Sequence, residues 1–378
     1  MFCELKTKEF HHATVLYEGR FPYSCSIRSL LAGNSSGRIF VDQIPNPTWA
    51  LAFSVEGVLL TGDPQDARVR SSLKTFIAEE ILSGKLFGDD DELITITVDP
   101  SEWSEHLREV ISDREPVPIT RQNYVCRELS YDWRKHLPDG YTVYVSPSSQ
   151  LSNGQFSVHP GVLDWIDRQE EWGQETIRAD HDLQAAAIVK DNEIVCWSGV
   201  DCIHDDWLDC GIYTAPDHRK KGLAAAAVSV LIEWAFSHGF HRIGWHCDDI
   251  NHASIHTALK VGFKLEQEYI YYSYQVDLAH HYAELGWYHY QRGNHQKTRD
   301  CYEKVFALRE EHPPYFYHLA AVCWGEVKDR EKALTYLEKA TQYGWDAADF
   351  TASREEFAFL KDEPQFGAVL EVMRAKIE

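Results

Sequence analysis

A basic cluster that precedes a glycine and an alanine-rich segment is the part of this sequence whose residue types most directly indicate chemistry. The first turn of a helix has unpaired N–H groups and a partial positive charge, so it attracts anions. Gly222 would let the backbone approach a phosphate closely. Because the helix dipole disfavours cations at this end, their presence indicates an anionic ligand. The predicted phosphate-binding turn consists of Arg219, Lys220, Lys221, Gly222, Leu223 and Ala224.

A strand and a helix must hold this turn in place. Residues 208–214 are mostly apolar and β-branched, which is typical of a short strand, and Pro216 ends it. Residues 222–238 carry apolar side chains at helical spacing, and Gly239 is the expected C-terminal cap. The predicted order is therefore strand, basic turn and helix.

Segments on both sides of the turn resemble the GNAT-type N-acetyltransferases. Residues 219–224 are similar to that family's Arg/Gln-x-x-Gly-x-Gly/Ala signature, and residues 211–214 resemble its fourth strand. Residues 251–254, Asn-x-x-Ser, and 260–263, Lys-x-Gly-Phe, resemble its fourth helix and the turn that follows. Because the segments occur in the family's order, the resemblance implies an α/β, mixed-sheet GNAT-like fold.

A bacterial subgroup that includes zwittermicin-resistance acetyltransferases is similar in further segments. Trp-His-Cys at residues 245–247, Gly-Arg-Ile-Phe-Val-Asp at residues 37–42 and Pro-x-x-Ala at residues 47–50 resemble that subgroup. The resemblance covers roughly residues 10–275 and is firm from about residue 180 onward.

The resemblance also implies how a cofactor is held. In the family, the pantetheine arm of acetyl-CoA, the co-substrate, lies between the fourth and fifth strands, which separate. Backbone groups of the fourth strand bond to this arm, and one N–H stabilises the oxyanion. The cofactor-binding residues implied here are Ile212, Tyr213, Thr214, Arg219, Lys220, Lys221, Gly222, Leu223, Ala224, Asn251 and Ser254.

Two side chains are candidates for the base. An acceptor amine is protonated at neutral pH, so it must lose a proton before it attacks. Asp209 stands where many relatives carry a carboxylate. His246 lies on the expected fifth strand, and the ordinary pKa of a histidine suits the task better. The sequence leaves the choice between them open.

The departing thiolate needs a proton, and at this point the chain departs from the family pattern. Relatives usually carry a tyrosine two residues before the lysine of Lys-x-Gly-Phe, but that position is Ala258 here. Ser254 is the expected substitute, with Tyr271 and Tyr272 as further donors. A covalent route through Cys247 or Cys210 is disfavoured because neither has an obvious adjacent base, so direct transfer is predicted.

Charge and cysteine content restrict the class of function. The 378 residues carry a formal net charge of -22, which disfavours nucleic acid as the main partner. The nine cysteines are scattered without a Cys-x-x-Cys pair, which predicts reduced thiols in the cytoplasm and no metal site. Neither a signal peptide nor a bilayer-spanning apolar run occurs, so no membrane partner is expected.

Three domains are predicted. Residues 1–130 echo the acetyltransferase order of strands and helices, but an acidic turn replaces the basic one, which indicates a degenerate, non-catalytic α/β half. Residues 131–276 form the catalytic domain. Residues 279–378 form an all-α domain that resembles a tetratricopeptide pair, with Tyr282 and Tyr317 at equivalent positions of a repeat of about 35 residues. A structural cap is slightly favoured there over a groove for a protein partner.

Local patterns also predict elements of the first half and a helix of the second. Strands are expected at residues 38–41, 49–54, 58–61, 93–98 and 117–129, and helices at residues 68–83 and 159–172. Ser101 is the expected N-cap of another helix.

These observations predict an enzyme that transfers acetyl from acetyl-CoA to a primary amine of a small molecule or a peptide-like antibiotic. Two alternatives stay open. One is a non-catalytic CoA-binding scaffold that recruits partners through its helical end. The other is an acetyltransferase that acts on protein amino termini or lysines.

Overall fold

The computed structural model describes residues 2–86, 93–111, 114–151, 154–163 and 183–376. The chain divides into two compact units, Met1–Glu80 with Thr95–Ser273 and Ile81–Ile94 with Tyr274–Glu378. The first unit is α/β, which confirms the predicted fold class, and the region after residue 277 is helical. Most of the helix predicted at residues 159–172 lies outside the described residues.

Thirteen strands of the described chain form one mixed sheet. They are β1 Cys3–Leu5, β2 Arg38–Val41, β3 Trp49–Ser54, β4 Gly57–Gly62, β5 Leu93–Val98, β6 Val117–Cys126, β7 Tyr141–Pro147, β8 Ser157–Val158, β9 Gln184–Lys190, β10 Glu193–His204, β11 Trp207–Thr214, β12 Arg242–Asp248 and β13 Lys264–Gln275. Their order is β1-β2-β3-β4-β5-β13-β6-β12-β11-β10-β9-β7, with β8 beside β10.

Two strands are exchanged between the halves of this sheet. β6, which precedes residue 130, lies antiparallel between β12 and β13, which both follow it. β13 in turn lies beside β5 of the first half. The sheet is therefore continuous across the division predicted at residue 130, and side chains of both halves can meet on one face.

The helices cover this sheet and form the region that follows it. Those of the first unit are α1 His11–Tyr17, α2 Cys25–Leu31, α3 Ala67–Phe76, α4 Leu107–Val110, α5 Leu223–Ser237 and α6 His252–Val261. Those of the second unit are α7 Leu278–Gln291, α8 His295–Leu308, α9 Pro314–Glu326, α10 Arg330–Gln342, α11 Ala348–Ser353 and α12 Pro364–Ala375. No helix in the described part of the chain is long and apolar enough to cross a membrane.

The residues at the ends of several strands and helices explain where these elements begin and end. Asp191 and Asn192 both adopt positive φ, as a tight hairpin between β9 and β10 requires. Ser101 is not the predicted N-cap: Pro100 precedes a short 3-10 helix, Ser101–Glu105, in which the buried Trp103 donates to the carbonyl of Gly62 at 3.1 Å. The helix predicted at residues 68–83 is α3 followed by a π turn, Ile77–Ile81.

The second unit contains two helical hairpins, α7 with α8 and α9 with α10. Its core joins the aromatic rings of Tyr302, Phe316 and Phe357 to small side chains such as Ala320. Gly286 on α7 brings its backbone close to Tyr302, since a Cβ there would lie 3.0 Å from the ring. The first helices of the two hairpins begin about 36 residues apart, and the second helices about 35.

Candidate functional site

β11 and β12 separate part-way along their length. The two parallel strands pair only at Trp207 with Arg242, Leu208 with Ile243, and Asp209 with Gly244. β11 then continues to Thr214 and β12 to Asp248 without further pairing between them. The sheet therefore opens immediately after Asp209, at the position where a strand-like ligand could add to β11.

Main-chain groups of β11 face this opening in alternation. The Ala215 N–H donates to the carbonyl of Val195 at 2.9 Å, toward β10. Because successive residues of a strand point their backbone groups to opposite sides, those of Ile212 and Thr214 face the opening, and those of Tyr213 face β10. Arg219 Nε donates to the carbonyl of Thr214 at 3.0 Å and so ties the basic turn to this edge.

The basic turn ends at the start of α5. Gly222 has φ 80° and begins the helix without a side-chain hydrogen bond to the first-turn N–H groups. Lys220 also has positive φ, and Lys221 Nζ donates to the carbonyl of Asp217 at 2.9 Å. Arg219 and Lys221 therefore brace the turn through backbone carbonyls, while α5 presents its N-terminal amide groups for an anion.

Tyr131 is a part of this region that the sequence motifs do not reveal. Its hydroxyl lies 3.7 Å from the position of a Cβ on Gly222, and no described residue hydrogen-bonds to it. The side chain is buried, at 8% exposure. The Lys260 ammonium lies 4.9 Å from the centroid of the Tyr131 ring, and His136 stacks on that ring at 4.7 Å. A buried hydroxyl without a partner costs about 1–3 kcal/mol, which a bound anion would recover.

Asp209 and His246, the two candidate bases, are neighbours. His246 Nε2 lies 3.5 Å from Asp209 Oδ2, and the side chains are 3% and 1% exposed. The Trp207 indole N–H donates to Asp209 Oδ1 at 2.8 Å. The tertiary structure therefore joins the two alternatives into one buried pair beside the opening.

Gly244 makes room for this pair. The Asp209 carboxylate lies across β12 so closely that a Cβ on Gly244 would be 1.8 Å from Asp209 Oδ1. The Asp209 carboxylate can therefore occupy this position only because residue 244 is a glycine. No sequence motif indicates this requirement.

The buried pair continues into residues of β6, β13 and the first half. Asn123 Nδ2 lies 3.0 Å from His246 Nε2, and the Tyr269 hydroxyl lies 3.0 Å from His246 Nδ1. Tyr23, which precedes α2, stacks on Tyr269 with ring centroids 4.1 Å apart. The strand exchange is what brings these side chains to one face of the sheet.

Ser254 and Asn251 lie at the start of α6. Asn251 Oδ1 accepts from the Ser254 N–H at 3.2 Å and so caps the helix, and Ser254 Oγ accepts from the Trp245 indole N–H at 2.9 Å. Trp245 and His246 are consecutive on β12 and point to opposite faces of the sheet. Ser254 is therefore on the other face from Asp209 and His246, across the opening rather than beside them.

Asp209 and two buried cysteines are close enough to surround a cation. The ligand atoms of Cys25, Cys202 and Asp209 lie within 4.8 Å of one another. Cys202 Sγ donates to Asp209 Oδ2 at 3.9 Å, and Cys25 Sγ donates to the carbonyl of Trp207 at 3.7 Å. Burial raises the pKa of the Cys25 thiol. The two thiols and the carboxylate therefore form a packed, buried cluster.

The cysteines nearest the opening are also poor nucleophiles. Burial raises the pKa of Cys247, which lies on β12, and raises that of Cys210 on β11 well above its ordinary value. Because the thiolate is the reactive species, these shifts disfavour Cys247 and Cys210 as nucleophiles.

The first half shows no comparable opening among its described residues. β4 and β5 pair in parallel at Val58 with Ile96, Leu59 with Thr97 and Leu60 with Val98, and the Asp99 N–H extends the ladder by donating to the carbonyl of Leu60. The buried Trp103 indole N–H then holds the carbonyl of Gly62. The edge where β11 would receive a ligand is closed in its counterpart.

Comparisons with known proteins agree with this geometry. A family model described as GNAT acetyltransferase matches residues 20–272. YdfB of Bacillus subtilis strain 168, described as an uncharacterized N-acetyltransferase, is 21% identical over 272 residues, which are 71% of this chain and 98% of that protein. The crystal structure of a GCN5-related N-acetyltransferase-like protein from Streptococcus suis 89/1591 is similar at 20% identity with a TM-score of 0.51, and the match covers 71% of this chain and 100% of that one.

Proposed function

Because the chain belongs to the GNAT acetyltransferase family, we propose that it uses acetyl-CoA to acetylate a primary amine of a small molecule or a peptide-like antibiotic. The observation that carries the proposal is the separation of β11 and β12 after Asp209, next to the uncapped N-terminus of α5. A pantetheine arm fits such an opening as an added strand, and a diphosphate fits such a helix end.

Cofactor binding is proposed to begin at the basic turn. The diphosphate would accept from the first N–H groups of α5, with Leu223 and Ala224 as donors, and from the unpartnered Tyr131 hydroxyl. Arg219, Lys220 and Lys221 would add positive charge. The pantetheine amides would pair with Ile212 and Thr214 across the opening, and Asn251 would border it from α6.

The acetyl group would then lie where the strands begin to part. An N–H of β11 that faces the opening, such as that of Ile212, would stabilise the oxyanion of the tetrahedral intermediate. Asp209 and His246 would remove a proton from the acceptor amine on their face of the sheet, and they would act as a pair because their side chains are 3.5 Å apart.

The leaving thiolate would be protonated from the opposite face. Ser254 Oγ accepts from the Trp245 indole N–H, and the serine hydroxyl would donate its own hydrogen across the opening. The position of the usual tyrosine, Ala258, is fully buried in the apolar core between the sheet and the helices and offers no donor.

The remaining assignments are part of the same proposal. Residues 131–276 would be the catalytic domain of a zwittermicin-resistance-like enzyme, and residues 1–130 a half without its own cofactor site, in keeping with its closed ladder. Residues 279–378 would be a tetratricopeptide-like cap. Nine free cysteines fit a reducing compartment such as the cytoplasm.

The test is titration of acetyl-CoA into the full-length chain, followed by measurement of thiol release with a polyamine, an aminoglycoside, a peptide-like antibiotic and a peptide with a free amino terminus. Binding with release in the presence of a small amine or the antibiotic is expected. Release with the peptide alone would support protein acetylation, and binding without any release would support a scaffold. Absence of binding would contradict all three functions.

A further inference from the structure

Two cysteines from distant parts of the chain meet the Asp209 carboxylate in the interior of the first unit. Cys25 is the first residue of α2, after the N-cap Ser24, and Cys202 lies on β10. The two cysteines are 0% and 1% exposed, and Asp209 is 1% exposed. The three possible ligand atoms lie within 4.8 Å of one another. Two sulfurs and a carboxylate oxygen form a donor set that suits zinc.

The register between β10 and β11 turns Cys202 toward the carboxylate. The ladder pairs regularly from Cys196 to Val200, then shifts, and it resumes with Cys202 opposite Asp209. Without this shift, Asp201 would stand opposite Asp209 and two carboxylates would face each other. Because a β-bulge re-aims the side chains beside it, the irregularity places a thiol there instead.

The contacts of the cluster orient its donor atoms. Cys202 Sγ lies 3.9 Å from Asp209 Oδ2, and the Trp207 indole N–H donates to the other carboxylate oxygen, Oδ1, at 2.8 Å. Cys25 Sγ lies 3.7 Å from the carbonyl oxygen of Trp207 and 4.0 Å from that of Cys202. The indole therefore holds Oδ1 and leaves Oδ2 on the side of the sulfur.

These separations fit a tetrahedral ion. With Zn–S bonds of about 2.3 Å and Zn–O bonds of about 2.0–2.2 Å, two ligand atoms of a tetrahedral site lie about 3.5–3.8 Å apart. The 3.9 Å between Cys202 Sγ and Asp209 Oδ2 is close to this range. His246 Nε2 lies 3.5 Å from the same oxygen, which makes the imidazole the candidate for the fourth position.

We propose that Cys25, Cys202 and Asp209 form a site for a divalent cation of the zinc class, with His246 as the fourth ligand. When the ion binds, two S–H bonds are replaced by two Zn–S bonds and both protons leave to solvent, with no change of oxidation state. The spacing of the cysteines along the chain predicts no metal site, because no Cys-x-x-Cys pair occurs. The ligands of this site come from both halves of the first unit and meet only in the tertiary structure.

An ion in this site would stop the proposed acetyl transfer. Zinc on Asp209 and His246 takes the lone pairs with which these side chains would accept a proton from the amine. Metal binding itself does not depend on the proposed function, whereas this inhibition rests on it. Through Cys25, residues 1–130 would then contribute to the control of the catalytic domain.

The experiment measures zinc binding by the reduced full-length chain in competition with a chromophoric chelator, with cobalt(II) as a spectroscopic probe. We expect one tight site per chain and, with cobalt, the near-ultraviolet absorption of thiolate ligands. Cys25→Ala and Cys202→Ala should each weaken zinc binding by about 100-fold or more and reduce this absorption. Cys126→Ala removes another buried thiol of the same unit and should bind both metals like the wild type.

Equal zinc affinity in Cys25→Ala, Cys202→Ala and Cys126→Ala would mean an adventitious ion only and would contradict the site. X-ray absorption at the zinc edge of the wild type is the second measurement, and it requires no variant to fold. Two sulfur ligands are expected in that spectrum. A spectrum without sulfur ligands, or a wild type that binds no zinc, would overturn the proposal.

Inhibition is measured by mass spectrometry of the acetylated product, because the thiol of coenzyme A itself binds zinc. Zinc should inhibit the wild type and Cys126→Ala at concentrations at which Cys25→Ala keeps its rate. Equal inhibition of all three proteins would show that zinc does not act through this site. Failure of the wild type to transfer acetyl even without zinc would contradict the proposed function alone, since metal binding is measured separately.

Discussion

At the scale of single residues, two side chains of the site lie close to the backbone of a glycine. Asp209 reaches its position only because Gly244 has no side chain, and the Tyr131 hydroxyl approaches the turn at Gly222. Each contact joins residues that are distant in sequence. Each can be tested by a change of very few atoms.

Gly244→Ala should abolish most of the acetyl transfer without unfolding the protein. A Cβ there would lie 1.8 Å from Asp209 Oδ1, so the carboxylate must move away from His246. We expect a loss of at least about 100-fold in kcat with unchanged acetyl-CoA affinity, measured by thiol release and calorimetry. Gly367→Ala, where the new methyl group meets nothing within 4 Å, is the control and should retain the wild-type rate. Wild-type kcat in Gly244→Ala would show that the carboxylate position is dispensable.

Tyr131→Phe should weaken cofactor binding while leaving the unliganded protein at least as stable. The hydroxyl has no partner among the described residues, so its removal eliminates a desolvation penalty of about 1 kcal/mol. Loss of a hydrogen bond to a phosphate should raise the acetyl-CoA dissociation constant about tenfold. Thermal melting without ligand and calorimetry with it measure the two effects. A variant with lower stability and unchanged affinity would place the hydroxyl outside the cofactor site.

At the scale of elements, the most specific predictions concern α5 and α9. α5 has a left-handed glycine at each end, Gly222 with φ 80° and Gly239 with φ 87°. Only Gly222 adjoins the opening between β11 and β12. The two glycines therefore have similar backbone strain, and only Gly222 has a proposed role in binding.

Gly222→Asp should weaken acetyl-CoA binding by about 100-fold or more, because it adds a negative charge where the diphosphate is proposed to bind. Gly239→Asp carries a similar cost in backbone conformation and should bind acetyl-CoA like the wild type. Calorimetry on both variants provides the comparison. Equal acetyl-CoA affinities in the two variants would show that the diphosphate does not bind at the N-terminus of α5.

His318 on α9 should make stability depend on pH. It is 2% exposed and stacks on Trp345 at 4.3 Å, and burial lowers its pKa to about 4. Because the pKa of His318 is lower in the folded protein, the unfolded chain binds the proton more tightly than the folded chain does. Stability is therefore complete above about pH 6.5 and is lost as pH falls toward 4, by up to about 3 kcal/mol. Urea unfolding at a series of pH values measures how the free energy of unfolding depends on pH. The variant His318→Leu should lose the part of this dependence that His318 contributes. An unchanged slope in that variant would assign the pH dependence to other groups.

At the scale of the whole molecule, the exchange of β6 and β13 makes the two halves of the sheet depend on each other. β6 finds both of its partners, β12 and β13, after residue 130. Neither half of the sheet would retain its paired edges without the other.

Residues 1–130 expressed alone should therefore fail to give a cooperatively folded product, because β5 and β6 would lose their neighbour β13 and expose unpaired edges. Co-expression with residues 131–378 should restore a soluble complex. Soluble yield and thermal melting are the measurements. A cooperative melting transition for residues 1–130 alone would show that the first half is independent of the exchange.

Much of the local structure follows from the sequence alone. The strands predicted at residues 38–41, 49–54 and 93–98 have those bounds, because alternation and β-branching are properties of a few adjacent residues. The left-handed Gly222 before α5 follows from the same kind of short-range rule. The family also follows from the sequence, since its motifs are short and consecutive.

Only the tertiary structure decided what these pieces do together. Asp209 and His246 were alternatives along the chain, and the register of two parallel strands makes them one pair. Tyr131, Asn123 and Tyr269 belong to no local motif, and the strand exchange brings them to the turn and to the base. Long-range pairing depends on which edges and faces remain to be covered when the whole sheet assembles, and the spacing of neighbouring residues does not encode that choice.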